Sequence, residues 1–235
     1  MFNVWVIKIN NPRFGKMNKQ KDFRQRWHAY YSRKRISHQW FQVDLLKDLP
    51  VQNVLEVGPY LGLVTAMLAS AGYSVTTFDI ESVSHDIGAE KHIQGDIAKI
   101  SKNSLCEFDA ILCCEILEHI AWEDIDSVIN RMAEGGAPWL IISVPYEGFQ
   151  FGFSIYLNRF QIRRSSFFRK LRFMKNFKLV GNKKDWEPHK WEIGYRHYSI
   201  RAFSNKIKDA GYKIERQEFT SGCRSVFFVC KNTLI

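Results

Sequence analysis

From Val51 onward, short apolar runs alternate with stretches whose apolar residues recur at helical spacing. The apolar runs are compact and rich in β-branched residues, which is typical of buried strands. The predicted strands cover residues 52–57, 74–80, 92–97, 108–120, 139–146, 212–219 and 224–231. Helices are predicted from Leu63 to Gly72, over 122–138 and over 198–211.

Because strands and helices alternate through the first five strands, the chain predicts a parallel sheet with helices on both faces. A glycine-containing turn over residues 220–223 separates the last two strands, so we expect these strands to pair as an antiparallel hairpin. The pattern therefore predicts an α/β fold with seven strands, most of them parallel.

Two segments do not follow this alternation. Residues 1–50 are aromatic and basic, and their apolar positions from Lys21 to Lys47 predict one or two helices that cover the ligand cleft. Residues 147–191 form an insertion after the fifth strand, in which helical spacing predicts a basic amphipathic helix. Such a helix would form a lid or lie on an anionic membrane surface. We therefore divide the chain into a helical extension, 1–50, and a main domain, 51–235.

The net charge of +10 is concentrated in these two segments. Residues 1–40 hold ten lysines and arginines against one acid, and residues 159–190 hold eleven against two. The rest of the chain is acidic, so we expect the basic segments to meet an anionic group. We expect them to share one cleft, with walls and anion contacts from Trp27, Tyr30, Phe160, Phe167, Arg159, Arg163 and Arg164.

No apolar run approaches the ~20 residues that span a bilayer. The first residues also lack the basic start and the small-residue cleavage site of a secretory signal. The sequence therefore predicts a cytoplasmic protein without a transmembrane segment.

The first predicted strand leads through a glycine turn into a helix. Glu56 ends this strand, Gly58 and Gly62 frame the turn, and Tyr60 replaces the middle glycine of a dinucleotide-binding fingerprint. Glycines there would let a ligand approach the backbone, and the carboxylate before them suits a cationic group. These residues resemble motif I of the class I S-adenosylmethionine-dependent methyltransferases.

This resemblance implies a site for S-adenosylmethionine at the ends of the strands. Asp79 would accept hydrogen bonds from the two ribose hydroxyls, with Ile80 beside it. Asp96 would accept the exocyclic amine of adenine, and the backbone N–H of Ile97 would contact the ring. Glu115, in the polar end of the fourth predicted strand, completes the expected cofactor contacts.

The fourth predicted strand runs into a polar group that could carry the chemistry. A sulfonium methyl is already activated, so the protein must mainly align the acceptor and remove its proton. Histidine suits that base, and the candidates are His119, with Glu118 beside it, and either His189 or His197. The E-x-x-E-H stretch also resembles ubiquinone-biosynthesis O-methyltransferases.

The same residues offer a second interpretation. In small-RNA 2′-O-methyltransferases two glutamates and two histidines bind a divalent metal, and Glu115, Glu118, His119 and His189 resemble that set. Such donors suit Mn²⁺, Fe²⁺ or Mg²⁺. The stretch before His189 is long in this chain, so a metal is the less favoured expectation.

The resemblance covers residues 51–146 and 198–231, and it implies a Rossmann-like fold and a methyltransferase activity. The expected acceptor is an oxygen (or nitrogen) of a small or carrier-linked metabolite, and the basic segments make an anionic metabolite the favoured one. Two alternatives stay open. One is a metal-dependent RNA-end 2′-O-methyltransferase, although no RNA-binding module is recognisable. The other is a protein that binds the cofactor without transferring methyl.

Overall fold

The structure is a computed structural model of the 235-residue chain, and it describes residues 19–82, 87–101, 105–148, 188–220 and 224–235. Most of the insertion lies outside these residues, including Phe160, Phe167, Arg159, Arg163 and Arg164. The amphipathic helix expected there, and its contacts with the cleft, therefore stay predictions.

Seven strands form one sheet in the order β3-β2-β1-β4-β5-β7-β6. The strands are β1 (Asn53–Val57), β2 (Ser74–Asp79), β3 (Lys91–Gln94), β4 (Ala110–Cys114), β5 (Trp139–Pro145), β6 (Tyr212–Phe219) and β7 (Ser225–Asn232). The first five strands pair in parallel, whereas β7 runs antiparallel between β5 and β6. The predicted mostly parallel sheet and its C-terminal hairpin are both confirmed.

The described residues contain five α-helices. These are α1 (Lys19–Tyr30), α2 (Arg33–Asp44), α3 (Leu63–Ser70), α4 (Ile125–Glu134) and α5 (Ile200–Asp209). Apolar residues of α4 and α5 join one buried cluster with the sheet, and those of α2 and α3 join another. The helices therefore cover both faces, as predicted. Among the described residues, no helix has the length and apolar character needed to cross a bilayer.

The fourth strand is shorter than predicted. It ends at Cys114 instead of continuing to residue 120, because the next residue, Glu115, has a φ of +58°. A left-handed backbone cannot continue a strand, and Leu117–His119 then form a 3₁₀ turn. The polar group predicted at the end of the strand therefore lies on a separate turn beyond it.

The third strand also ends earlier than predicted, at Gln94 instead of residue 97. A side-chain oxygen of Asp96 accepts a hydrogen bond from the N–H of Ala98 at 2.9 Å and starts the 3₁₀ turn Ile97–Lys99. Aspartate favours such local caps over a strand ladder, which explains why the strand stops there.

The N-terminal helices pack on the sheet at the ends of its parallel strands. Ser32 caps α2 by accepting a hydrogen bond from the N–H of Arg35 at 3.3 Å. The hydroxyl of Tyr31 accepts one from the N–H of Leu63, the first residue of α3, also at 3.3 Å. The extension therefore reaches the turn that follows β1, as its predicted role as a cover requires.

Candidate active site

Two glycines shape the turn between β1 and α3. Gly58 has a φ of +72° and Gly62 a φ of +78°, conformations that L-residues rarely adopt. A Cβ atom at Gly58 would lie 2.2 Å from Cδ1 of Ile116, and one at Gly62 would lie 2.4 Å from Cγ2 of Ile87. The missing side chains therefore make room for two isoleucines, whereas the sequence suggested room for a ligand.

Glu56 lies buried beneath this turn, with 4% of its surface exposed. Its Oε2 accepts a hydrogen bond from the Thr65 hydroxyl, on α3, at 2.6 Å. Burial raises the pKa of Glu56 to about 7, and the Thr65 hydrogen bond partly opposes this rise. A cationic group beside this carboxyl would favour its ionised form.

Asp79 ends β2 at the same edge of the sheet. Its Oδ1 accepts a hydrogen bond from the N–H of Glu81 at 2.9 Å, which fixes the carboxylate at the strand's tip. The neighbouring Ile80 is 69% exposed. Asp79 therefore lies at the tip of β2, and its contact with a ribose stays a prediction.

Asp96 and Ile97 lie farther out, on the 3₁₀ turn after β3. The Asp96 carboxylate caps that turn and lies 3.5 Å from Nζ of Lys99, while Ile97 is buried. Neither residue lines the cavity described next. They nevertheless lie near Asp79, since the preceding Gly95 donates its N–H to the carbonyl oxygen of Asp79 at 2.8 Å, and their contact with adenine stays a prediction.

A cavity of about 540 Å³ opens at the carboxyl ends of β1, β2 and β4, with α2 along one side. Its volume is in the range of sites for small molecules. Eight residues predicted to bind cofactor or to act in catalysis line it: Glu56, Gly58, Tyr60, Asp79, Glu115, Glu118, His119 and His189. The predicted residues Gly62, Ile80, Asp96 and Ile97 do not line it. His197 is exposed and also lies outside the cavity.

Glu115 occupies the wall of this cavity just after β4. Its Oε1 accepts a hydrogen bond from the Ser143 hydroxyl at 2.8 Å and lies 4.0 Å from Nε2 of His38. A positive φ at a non-glycine residue is strained and occurs often at functional sites. The Glu115 carboxylate thus lies between Ser143 on β5 and His38 on α2.

His38 enters the cavity from α2. It is 5% exposed and packs on Phe227, with ring centroids 5.2 Å apart. Burial lowers the pKa of His38, and the nearby Glu115 partly opposes this change. Its Nδ1 has no hydrogen-bond partner within the described part of the chain. Sequence reasoning missed His38, because only the packing of α2 brings it to the site.

Glu118, His119 and His189 form a compact cluster, with one potential ligand atom from each lying within 4.8 Å of the others. The two histidine rings are 5.0 Å apart and nearly perpendicular. Glu118 is fully buried, and neither carboxylate oxygen has a hydrogen-bond partner among the described residues. Burial, assisted by the carboxylate of Glu115, raises the pKa of Glu118 well above its usual range.

One carboxylate and two imidazoles are donors that suit a divalent transition metal. The buried, unpartnered carboxylate of Glu118 is consistent with an added cation. The fourth ligand expected from sequence, Glu115, is not part of this cluster, since its carboxylate bonds to Ser143 instead. Three of the four residues in the suggested metal set are therefore brought together.

Aromatic residues connect the N-terminal extension to the glycine turn. The ring of Tyr30 lies 4.5 Å from that of Tyr60, and the guanidinium carbon of Arg35 lies 3.9 Å from the centroid of the Tyr30 ring. Tyr30 lines the cavity, as predicted, whereas Trp27 does not and packs on Tyr31. Of the two aromatic residues that the extension was expected to place in the cavity wall, one therefore lies there.

Arg224 and Glu192 are two further residues that sequence reasoning did not identify. Arg224 lines the cavity and forms an ion pair with Glu147. Glu192 contacts His189 through a 2.9 Å hydrogen bond. A carboxylate three residues after a candidate histidine, in the run HKWE, was the available signal.

This strand order, with an antiparallel seventh strand and a cavity at the parallel strand ends, is the architecture of class I S-adenosylmethionine-dependent methyltransferases. Residues 55–135 match the family model described as a methyltransferase domain. Residues 55–135 are therefore similar to the methyltransferase-domain family, and the chain has the fold of S-adenosylmethionine-dependent methyltransferases. No curated protein matches it significantly.

Solved structures show the same fold at low sequence identity. The 1,6-didemethyltoxoflavin-N1-methyltransferase of Burkholderia thailandensis, with bound S-adenosylhomocysteine, is 15% identical with a TM-score of 0.57. The match covers 91% of this chain and 83% of that one. The magnesium protoporphyrin IX methyltransferase of Synechocystis PCC 6803, with bound SAH, is 16% identical with a TM-score of 0.55. That match covers 92% of this chain and 95% of the other.

Proposed function

We propose that the protein transfers a methyl group to an oxygen (or nitrogen) of a small or carrier-linked anionic metabolite. The observation that carries this proposal is the single cavity in which Glu56, Asp79 and Glu115 face His119 and His189. The donor and the acceptor can thus meet within one space of about 540 Å³.

In this proposal Glu56 and Asp79 bind the two ends of S-adenosylmethionine. Glu56 would contact the ammonium group, since a buried carboxyl whose pKa is near 7 gains most from a positive neighbour. Asp79 would accept the ribose hydroxyls, because its carboxylate can accept two hydrogen bonds from a diol. The sulfonium supplies an activated methyl group to the nearby acceptor.

The histidine pair would act on the acceptor. As the acceptor oxygen forms a bond to the methyl carbon, the carbon–sulfur bond breaks and its electron pair stays on sulfur. His119 or His189 would take the acceptor's proton, since an imidazole is basic enough near neutral pH. Their rings, 5.0 Å apart, flank the same part of the cavity.

The anionic character of the acceptor is proposed from the lining of the cavity. Lys34 and Arg35 on α2 and Arg224 before β7 line it. Cationic side chains in a cleft attract anionic substrates and strengthen their binding at low salt. The magnesium protoporphyrin and toxoflavin enzymes act on small molecules, which supports a small acceptor here as well.

A labelling experiment would identify the acceptor. The purified enzyme is incubated with S-adenosylmethionine carrying a deuterated methyl group and with a cell extract separated by charge and by size. We expect labelled product among small molecules retained by an anion exchanger. Variants His119→Ala and His189→Ala should reduce it strongly, whereas His28→Ala, on the exposed surface of α1, should not.

The same experiment tests the other two hypotheses. Label in an RNA fraction alone would contradict the small acceptor and support RNA-end methylation. Cofactor binding without label in any fraction would support a non-catalytic binding protein. A cytoplasmic location and peripheral membrane contact stay predictions.

A metal-assisted form of the reaction is a second candidate, and the unpartnered carboxylate of Glu118 beside two histidines favours it. Glu118, His119 and His189 would hold the ion, and the metal would polarise the acceptor oxygen. Mn²⁺ should then raise the melting temperature, because the three ligands are brought together only in the folded chain. His119→Ala should abolish that rise and His28→Ala should preserve it. No metal effect on stability or turnover would contradict this form.

A further inference from the structure

The segment 188–193 is fixed against the turn after β4 and the end of β5 by hydrogen bonds to backbone carbonyl oxygens. The N–H of Lys190 donates to the carbonyl oxygen of Glu118 at 2.6 Å, and Nε1 of Trp191 donates to that of Ile120 at 3.0 Å. The N–H of Ile193 donates to the carbonyl oxygen of Pro145, at the end of β5. The backbone on both sides of His189 and Glu192 is therefore held in place.

Within this segment, Glu192 is 1% exposed, and its Oε1 lies 2.9 Å from Nδ1 of His189. An ionised carboxylate only accepts hydrogen bonds, so Nδ1 must carry the proton in this pair. Nε2 then has a lone pair when the ring is neutral. His189 lines the cavity, and its Nε2 makes no hydrogen bond with any residue that the structure describes.

A nearby cation favours the ionised form of Glu192. A guanidinium nitrogen of Arg224 lies 3.8 Å from its Oε2, and the same nitrogen pairs with Glu147. A buried carboxylate is stable mainly when a cation is close, and Arg224 supplies one. Arg224 is therefore shared between two carboxylates, of which Glu192 alone contacts His189.

We propose that Glu192 is a positioning residue that fixes His189 as its Nδ1–H tautomer and presents Nε2 to the cavity. The inference rests on the proposed function of His189, which deprotonates the acceptor or binds a metal through that nitrogen. Either role needs a lone pair on Nε2, and a carboxylate on the opposite ring nitrogen is a known way to orient such a histidine. Without Glu192, a neutral imidazole would favour the opposite tautomer, as it does in water.

Nitrogen-15 NMR of histidine-labelled protein tests this directly, above the pH at which the rings are protonated. The chain has seven histidines, and His189→Asn identifies the signals of His189 by their loss. In the wild type, we expect Nδ1 of His189 to resonate as a protonated nitrogen and Nε2 as an unprotonated one. Glu192→Leu should shift both signals toward the opposite tautomer.

Glu147→Gln is the matched control, because it removes the other carboxylate of Arg224 without touching His189. Its His189 signals should stay as in the wild type. If Glu192→Leu does not fold, Glu192→Gln retains the side-chain volume and should still weaken the tautomer preference. Unchanged His189 signals in the folded Glu192 variants, or equal shifts in Glu147→Gln, would overturn the proposal.

Turnover separates this inference from the proposed function. With the acceptor found by labelling, Glu192→Gln should lower kcat about 10- to 100-fold and leave the affinity for S-adenosylmethionine unchanged. Full turnover in His189→Ala would refute the role of His189 while leaving the NMR test of Glu192 valid. Full turnover in Glu192→Gln with impaired His189→Ala would refute only the positioning role.

Discussion

The substitution Glu56→Gln tests the charge state of the candidate cofactor site. Glu56 is buried at the end of β1 and bonds to Thr65, and burial raises its pKa from an ordinary 4.5 to about 7. Glutamine keeps the shape of the side chain and an oxygen that can accept the Thr65 hydrogen bond. It replaces the ionisable carboxyl group by a neutral amide, so a pH-dependent difference between the two proteins reports the charge of Glu56.

The raised pKa makes the folded wild type less stable as the pH rises. Below about pH 4.5 the carboxyl is protonated in both the folded and the unfolded chain, so burial of its charge costs nothing. Between pH 4.5 and 7 the unfolded chain ionises first, and stability falls. Above pH 7 the loss is complete, at about 3 kcal/mol for this difference in pKa. Glutamine has no such loss.

Thermal unfolding at pH 5 and pH 8 measures this effect. At roughly 2–4 °C per kcal/mol for a chain of this size, Glu56→Gln should melt up to about 6–12 °C above the wild type at pH 8. The difference should be much smaller at pH 5. Glu123→Gln, at an exposed position, is the control and should change neither value.

Cofactor binding should change in the opposite direction. If Glu56 binds the ammonium group, the more stable Glu56→Gln protein should lose about 1.5–3 kcal/mol of affinity for S-adenosylmethionine, the value of a charged hydrogen bond. Calorimetry at pH 8 gives that affinity. Equal affinity would refute the ammonium contact, and a stability difference independent of pH would refute the raised pKa.

Two further substitutions test the strand-end site and its turn. Asp79→Ala should weaken S-adenosylmethionine binding by about 1–3 kcal/mol in calorimetry, and unchanged binding would contradict a ribose contact. Gly58→Ala and Gly62→Ala should each lower the melting temperature more than Gly72→Ala does. All three glycines have positive φ, but only a Cβ at Gly72 would meet no atom within 4 Å, so this control isolates the backbone cost of about 1 kcal/mol. Equal losses in the three variants would show that the isoleucine contacts do not matter.

The sheet could be predicted from sequence because its strands are local signals. β1, β2 and β5 begin and end within one residue of the predicted limits, and β6 matches them fully. The predicted ends of β3 and β4, at residues 97 and 120, were wrong, because these strands end at Gln94 and Cys114. Backbone torsion and side-chain capping decide where they end, and hydrophobicity does not. Apolar residues continue past Cys114, so periodicity alone could not detect the positive φ of Glu115.

The residues of the candidate site could be predicted from sequence where they lie at the ends of strands. Glu56 lies near the end of β1, Asp79 ends β2 and Glu115 follows β4, and parallel strands bring their ends to one edge. His38 and Glu192 could not be found in this way. His38 depends on which side of α2 faces the sheet, and Glu192 on how a later segment packs against the turn after β4.

The N-terminal extension belongs to the candidate site, although the sequence divides the chain at residue 50 on composition. The contacts that cross that division include those of Tyr31 with the first N–H of α3, of His38 with Phe227, and of Arg216 with the carbonyl oxygen of Leu45. The contacts of Tyr31 and His38 meet α3 and β7, and residues of both elements line the cavity. Because α2 supplies one side of the cavity, the domain of residues 51–235 alone would leave that side open to solvent. The division therefore describes composition, whereas the reaction we propose needs both parts of the chain.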